Sequence, residues 1–202
     1  MALGDSYATV PELKARMDVE DAVDDVRLGE ALATASREIE AWCGRQFNKT
    51  TDASARLFAP DSTVLVVVDD FHTTAGLQIA VDATGLGSFA SWPPSAYRLE
   101  PLNGMVGGQP GWPYYRIRPL GGYGAFWWGV DGLIRVTAQW GWDAVPGPVK
   151  EACLIMAAES FKLGDAPFGV AGFGEFGPVR VRMNSLAEQK LAPYRRDAIL
   201  VN

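Results

Sequence analysis

The chain has 202 residues, 48% hydrophobic and 21% charged, as expected of a globular protein that buries a real core. Its formal net charge of −6 argues against a protein that wraps DNA in basic surface. Two cysteines, Cys43 and Cys153, lie far apart without C-x-x-C spacing, which argues against a zinc site and for buried reduced thiols.

The first ten residues have neither a basic start nor an apolar run, and no stretch approaches membrane-spanning length. A soluble protein made in a cytoplasm is expected. Thr9-Val10-Pro11-Glu12 reads as a capping box, predicting a short helix with Val10, Leu13 and Met17 on one face. Acidic "DVEDAVDD" leads into a longer helix, roughly 24–43. Its stripe is Leu28, Leu32, Ala35, Ile39 and Trp42, and Gly44 is placed as a left-handed C-terminal cap.

From about Ala53 the period changes. "SARLFAP", "TVLVVVDD", "GLQIAV", "YRLEP", "YYRIRP" and "GLIRVTAQW" are short, β-branched or aromatic, and punctuated by Gly, Pro and Asp. Val64–Val68 suits a strand buried on both faces. Helix returns at Pro148 with "VKEACLIMAAESFKLG", apolar on most faces and so suited to the middle of a bundle, and Gly164 stops it. Ser185-Leu186-Ala187-Glu188 forms a second capping box and opens a last helix that ends near Pro193. The expected fold class is α+β. Residues 1–52 and 143–202 form a small helical bundle with an extended C-terminal arm, and 53–142 form an inserted antiparallel β module.

Gly172, Gly174 and Gly177, with Val179, spell the glycine-rich loop of a kinase or a dinucleotide site. The context is wrong for both. A helix precedes the glycines instead of a strand, and too little chain follows to complete a kinase. "DDFH", with Asp69, Asp70 and the only histidine, His72, reads as a polar turn closing a strand in preference to a metal site. "VDATGLG" at 81–87 has one carboxylate, so a glycine-containing hairpin turn is expected there, not a calcium loop. No acid–base constellation or nucleophile elbow is present, and no enzyme activity and no cofactor are expected.

Five of the seven tryptophans fall within 112–142, interleaved with Arg116, Arg118 and Arg135. Trp140, Tyr115 and Ile117 suit the β core. Phe126, Trp127 and Trp128 sit in "GGYGAFWWGV", a glycine-rich hairpin tip read as a subunit or tail-side contact. The alternative is a binding module that stacks these aromatics on a glycan or single-stranded nucleic acid.

Charge is uneven. Residues 1–40 hold ten acids against four bases, while 179–196 hold Arg180, Arg182, Lys190, Arg195 and Arg196 against Glu188 alone. Ends of opposite sign suit self-assembly or a polar partner, with a solvated acidic helix face as the plainer alternative.

Four segments resemble one family: "YATVPELKARM" (7–17), "LATASREIEAWCGRQF" (32–47), "VTAQWGWDAVPGPVKEACLIMAAESFKLGDAPFGVAGFGEFGPVRVR" (136–182) and "LAPYRR" (191–196). The sequence resembles head–tail connector (adaptor) proteins of tailed bacteriophages, in the long form of actinobacterial phages. Residues 140–182 are the most specific part, and the match is weakest from about 60 to 130.

The resemblance implies a structural virion protein at the neck, made in the host bacterial cytoplasm. It would form a homo-oligomeric ring, commonly a dodecamer, under the portal protein and bind the next connector (stopper) or a tail protein. Genomic DNA would pass through without sequence-specific binding. On this reading Phe168, Phe173, Phe176, Arg180, Arg182, Tyr194, Arg195 and Arg196 contact the portal or a neighbouring subunit. Asp18, Glu20, Asp21, Asp24, Asp25, Glu38 and Glu40 are candidates for the channel lining, where carboxylates repel phosphate.

Overall fold

The computed structural model describes residues 4–60, 62, 64–123, 132–164 and 185–196. The chain divides into two compact units. One is Met1–Phe47 with Val145–Asn202, and the other is Asn48–Ala144. Helix and antiparallel sheet segregate along the chain, making the fold α+β.

In the first unit, α1 spans Val10–Met17, α2 Asp25–Cys43, α3 Gly147–Gly164 and α4 Ser185–Leu191, followed by a 3-10 turn at Ala192–Tyr194. The capping box opens α1, with the Glu12 carboxylate accepting the Thr9 N–H at 2.9 Å. Asp18 closes α1 in the left-handed region (φ 57°), and Gly44 closes α2 the same way (φ 63°). Leu28, Leu32, Ala35 and Ile39 are buried along α2. Trp42, expected on that core stripe, is only half-buried, because the buried stripe turns to Cys43 in the last turn. α3 packs on α1, α2 and α4, and its Val149, Ala152, Cys153 and Ala157 are sealed from solvent. Each fully buried residue the size of leucine contributes about 2 kcal/mol by leaving water.

In the second unit, β1 (Ser54–Phe58), β2 (Val66–Asp82), β3 (Ala90–Ser91), β4 (Tyr97–Glu100), β5 (Tyr114–Pro119) and β6 (Leu133–Trp140) form one antiparallel sheet. The order is β1-β6-β2-β5-β4, with β3 hairpinned onto β2. Val66, Val68, Phe71, Ile79, Ile117, Ile134, Val136 and Trp140 form its core.

Three expectations are corrected here. "TVLVVVDD" and "GLQIAV" are not separate strands, because β2 runs through both for 17 residues. "DDFH" is therefore mid-strand, not a turn. Its two carboxylates have partners that allow this: Asp69 pairs with Arg56 at 2.6 Å, and Asp70 accepts the Trp142 indole N–H at 3.1 Å. Phe71 after them packs on Tyr114 and Trp140. Register shifts at 67–71, 71–73 and 73–78 absorb the irregular polar pattern as bulges. Val64 lies outside the strand and is 55% exposed, and Val67 is half-buried, so burial of this run alternates from Val66 onward.

The expected turn at 81–87 is present. The buried Asp82 carboxylate accepts the N–H groups of Thr84, Gly85 and Gly87 and the Thr84 hydroxyl, at 2.6–3.0 Å. Burial pushes this carboxyl up, but those hydrogen bonds prevail and hold it below the usual aspartate range.

The entry and exit of this unit are clasped. Thr50 N–H donates to the Trp140 carbonyl, and Trp140 N–H to the Thr50 hydroxyl, both at 2.8 Å. Gly141 (φ 93°) lies against Asn48 so closely that a Cβ there would stand 1.7 Å from the Asn48 carbonyl oxygen. Gly141→Ala therefore combines overlap with strain and should destabilise the fold by at least about 3 kcal/mol. Urea denaturation of the purified variant checks this, and a loss below 1 kcal/mol would contradict the clasp.

Candidate functional site

Among the described residues no group of His, Cys, Asp and Glu could hold a metal ion, and no helix is long and apolar enough to cross a membrane. Both cysteines are buried, and burial pushes both thiols up, Cys43 to about 12. What the chain offers is surface, and α2 organises it.

At the C-terminal end of α2, Tyr7 is the anchor. Its hydroxyl donates to Glu40 Oε1 and accepts the Phe47 N–H at 3.0 Å, while its own N–H donates to Ser36 Oγ at 3.0 Å. Arg37 pairs with the other Glu40 oxygen at 3.1 Å. Burial first, and the Glu40 hydrogen bond second, push the Tyr7 phenol far above its ordinary range, so it stays a neutral donor.

The C-terminal residues fold back onto this end. Tyr194 meets Phe47 edge-on at 6.0 Å, Arg195 lies over the Trp42 ring at 5.5 Å, and Arg196 N–H donates to the Cys43 carbonyl at 2.8 Å. These three residues, expected at a partner, are placed by contacts within their own unit, although the Arg195 side remains exposed. Beside them a shallow groove of about 630 Å³ is lined by Trp42, Ser185, Leu186, Glu188, Gln189 and Ala192.

At the N-terminal end the acids split by role. Asp25 pairs with Lys14 at 2.8 Å and Asp24 with Arg27 at 3.0 Å, and Asp21 accepts the Val23 N–H at 3.0 Å. Asp18, Glu20 and Glu38 are exposed and make no ion pair among the described residues. Glu40, also a lining candidate, is spoken for by Tyr7 and Arg37. Within the acids stand two features that the sequence reading did not single out: Val23, 86% exposed, and Val26, 76% exposed. Their signal was present as two β-branched apolar residues in a polar run outside the 28-32-35-39 stripe.

In the second unit the described aromatics of 112–142 mostly point inward. Trp140 is sealed in the core, Trp112 packs on Trp142 with centroids 5.0 Å apart, and Tyr114 packs on Phe71. The arginines are occupied too: Arg116 over Tyr115, Arg118 on Glu100 at 2.9 Å, and Arg135 over Phe89. Tyr123, 37% exposed against the half-buried Trp92, is the described aromatic of this stretch that keeps an open face. Phe126, Trp127 and Trp128, and Phe168, Phe173, Phe176, Arg180 and Arg182, lie outside the described residues.

No protein-family model matches the chain, and no curated protein matches it. Solved structures do. The fold is similar to that of a chain in the neck of an empty GTA particle computed with C6 symmetry (TM-score 0.59, 16% identity). It is similar also to a chain in the neck of a native GTA particle computed with C12 symmetry (0.55, 14%) and to one in the virion of a native gene transfer agent particle (0.56, 16%). In each case the match covers 100% of this chain and 96% of the other. The likeness extends over both units and establishes a shared fold.

Two outcomes test this geometry. Tyr7→Phe strands the Phe47 N–H and should cost about 1–3 kcal/mol in chemical denaturation, more than an exposed hydroxyl would. Glu12 bears on pH. Its pairing with Lys150, and then its bonds from Thr9, bring its carboxyl down to about 2. A depressed carboxyl stabilises the fold above its unfolded value near 4.3, and the benefit is lost as pH falls toward 2. The stability gap between the native chain and Glu12→Gln should therefore be full at pH 6 and vanish by about pH 2. It should stay under about 1 kcal/mol, because the pair is partly exposed.

Proposed function

We propose that this chain is a structural, non-enzymatic protein of a phage-like virion neck, a head–tail connector whose copies form a ring beneath the portal. The observation that carries the reading is the end-to-end match to neck chains of gene transfer agent particles, computed with C6 and C12 symmetry. The segments at 7–17, 32–47, 136–182 and 191–196 support it independently.

In this reading residues 1–52 and 143–202 are the ring-forming helical bundle, and 53–142 are an insert. Phe126, Trp127 and Trp128 on that insert meet a neighbouring subunit or the tail side. Phe168, Phe173, Phe176, Arg180 and Arg182 form an arm that docks on the portal or the next subunit, with Arg195 beside it. Asp18, Glu20, Asp21 and Glu38 are the carboxylates with charge to spare for a channel lining past which genomic DNA slides. A twelve-fold ring, a stopper or tail protein below it, and assembly in the host cytoplasm complete the proposal. The inward packing of Trp112, Trp140 and Trp142 favours this reading over a glycan or single-strand binder.

Negative-stain imaging of the purified chain with and without its portal tests the reading, and rings stacked on portals are expected. Removing 165–202 outright would also remove the buried Ala187 and Leu191 of α4, so point changes are the cleaner probe. Phe173→Ser with Phe176→Ser, Arg180→Glu and Arg182→Glu should leave the circular dichroism unchanged and abolish portal joining. Unchanged joining would refute the arm. If Trp127→Ser with Trp128→Ser abolishes a measurable oligosaccharide or oligonucleotide affinity while rings persist, the binding module is the better account.

A further inference from the structure

We infer that α2 carries both halves of a head-to-tail contact between copies of this chain. The Val23–Val26 knob at its N-terminal end seats in the Trp42–Leu186–Ala192 groove at the C-terminal end of the next copy's α2. The inference rests on the ring reading and names the two faces that ring would use.

Three observations carry it. First, Val23 and Val26 are 86% and 76% exposed, far beyond what a helix start needs, and lie three residues apart at the start of α2. Second, the groove offers matching chemistry. Trp42 is half-buried, Leu186 is 47% exposed, and the depression of about 630 Å³ is open enough for two valine side chains.

Third, the charges of the two ends differ. Asp18, Glu20, Asp21, Asp24 and Asp25 surround the knob against Lys14 and Arg27. At the groove Arg195 lies over Trp42 and Lys190 follows the lining residue Gln189, against Glu188 in the lining, Glu151, which pairs with Lys190, and the exposed Glu38 one turn before Trp42, so an acidic knob meets a more balanced surface there. The same charges disfavour a two-fold dimer that sets knob on knob, because that would face acid on acid.

Val26 and Trp42 are sixteen residues apart on one continuous helix, about 24 Å along its axis. Passed from copy to copy, a contact between such separated faces is heterologous and closes into a ring when the rotation allows. With two α2 helices antiparallel, the same contact would fill both grooves and stop at a dimer. The ring reading selects the first arrangement.

Single-cysteine variants of the full chain test it, since Cys43 and Cys153 are buried and will not compete. Under mild oxidation a mixture of Val26→Cys and Gln189→Cys chains should give a disulfide-linked dimer that neither forms alone. The doubly substituted chain should give a ladder ending in closed rings. In sedimentation velocity, Val23→Asp with Val26→Asp should raise the concentration for half-assembly about tenfold or more, with circular dichroism and melting temperature unchanged. Folding is not at risk, because both sites are exposed and acids suit the start of a helix.

Rings that assemble in the double aspartate variant as in the native chain would overturn the inference and leave the ring reading standing. So would Val26→Cys chains that link only to each other. Native chains that stay monomeric both alone and on the portal would overturn the ring reading and this contact with it.

Discussion

The clasp at Asn48–Thr50 and Trp140–Gly141 is the constraint on which the architecture depends. The chain leaves the helical unit after Phe47 and returns at Val145, so everything between must begin and end in one place. Two hydrogen bonds and a glycine with no room for a side chain accomplish this from within the sheet unit. Closing so long a loop costs on the order of 4 kcal/mol in chain entropy, and the β2–β6 ladder with its Phe71 and Trp140 core offsets it locally. α2 and α3 can then pack as if they were close in sequence.

That packing sets what the helical unit can present. With α3 packed against three helices, the long-range contacts described above gather at the C-terminal end of α2. Tyr7 ties the N-terminal segment to Glu40 and Phe47, and Tyr194 to Arg196 fold over the same end. The other end receives the short acidic link from α1 and, from α3, the Phe161 ring under Arg27. Among the described residues the chain passes the C-terminal end of α2 at Tyr7, at Phe47 and again at 194–196.

Local signals were legible wherever the cause was local. The Thr9–Glu12 box, the left-handed Gly44 and the Asp82 turn each involve residues within five of one another, and each stands where its side-chain chemistry puts it. Strand bounds at Ser54–Phe58, Tyr114–Pro119 and Leu133–Trp140 followed from β-branched runs between breakers. The continuity of β2 was not legible, because Asp69, Asp70 and His72 look like a turn until Arg56 and Trp142 arrive from elsewhere in the chain. Trp42 was placed on the core stripe for a similar reason. Periodicity gives the face, but only the tertiary fold shows that Arg195 covers that ring. Of the candidate contacts, charge asymmetry was readable in composition. The Val23–Val26 knob became meaningful only once exposure separated it from the buried stripe.

The two cysteines carry a last consequence. Only the ionised form of a thiol attacks a disulfide or a peroxide efficiently, and burial holds Cys43 and Cys153 in the neutral form, far from ionisation at neutral pH. Neither thiol is therefore poised to cross-link at neutral pH, and the described fold holds together without a disulfide.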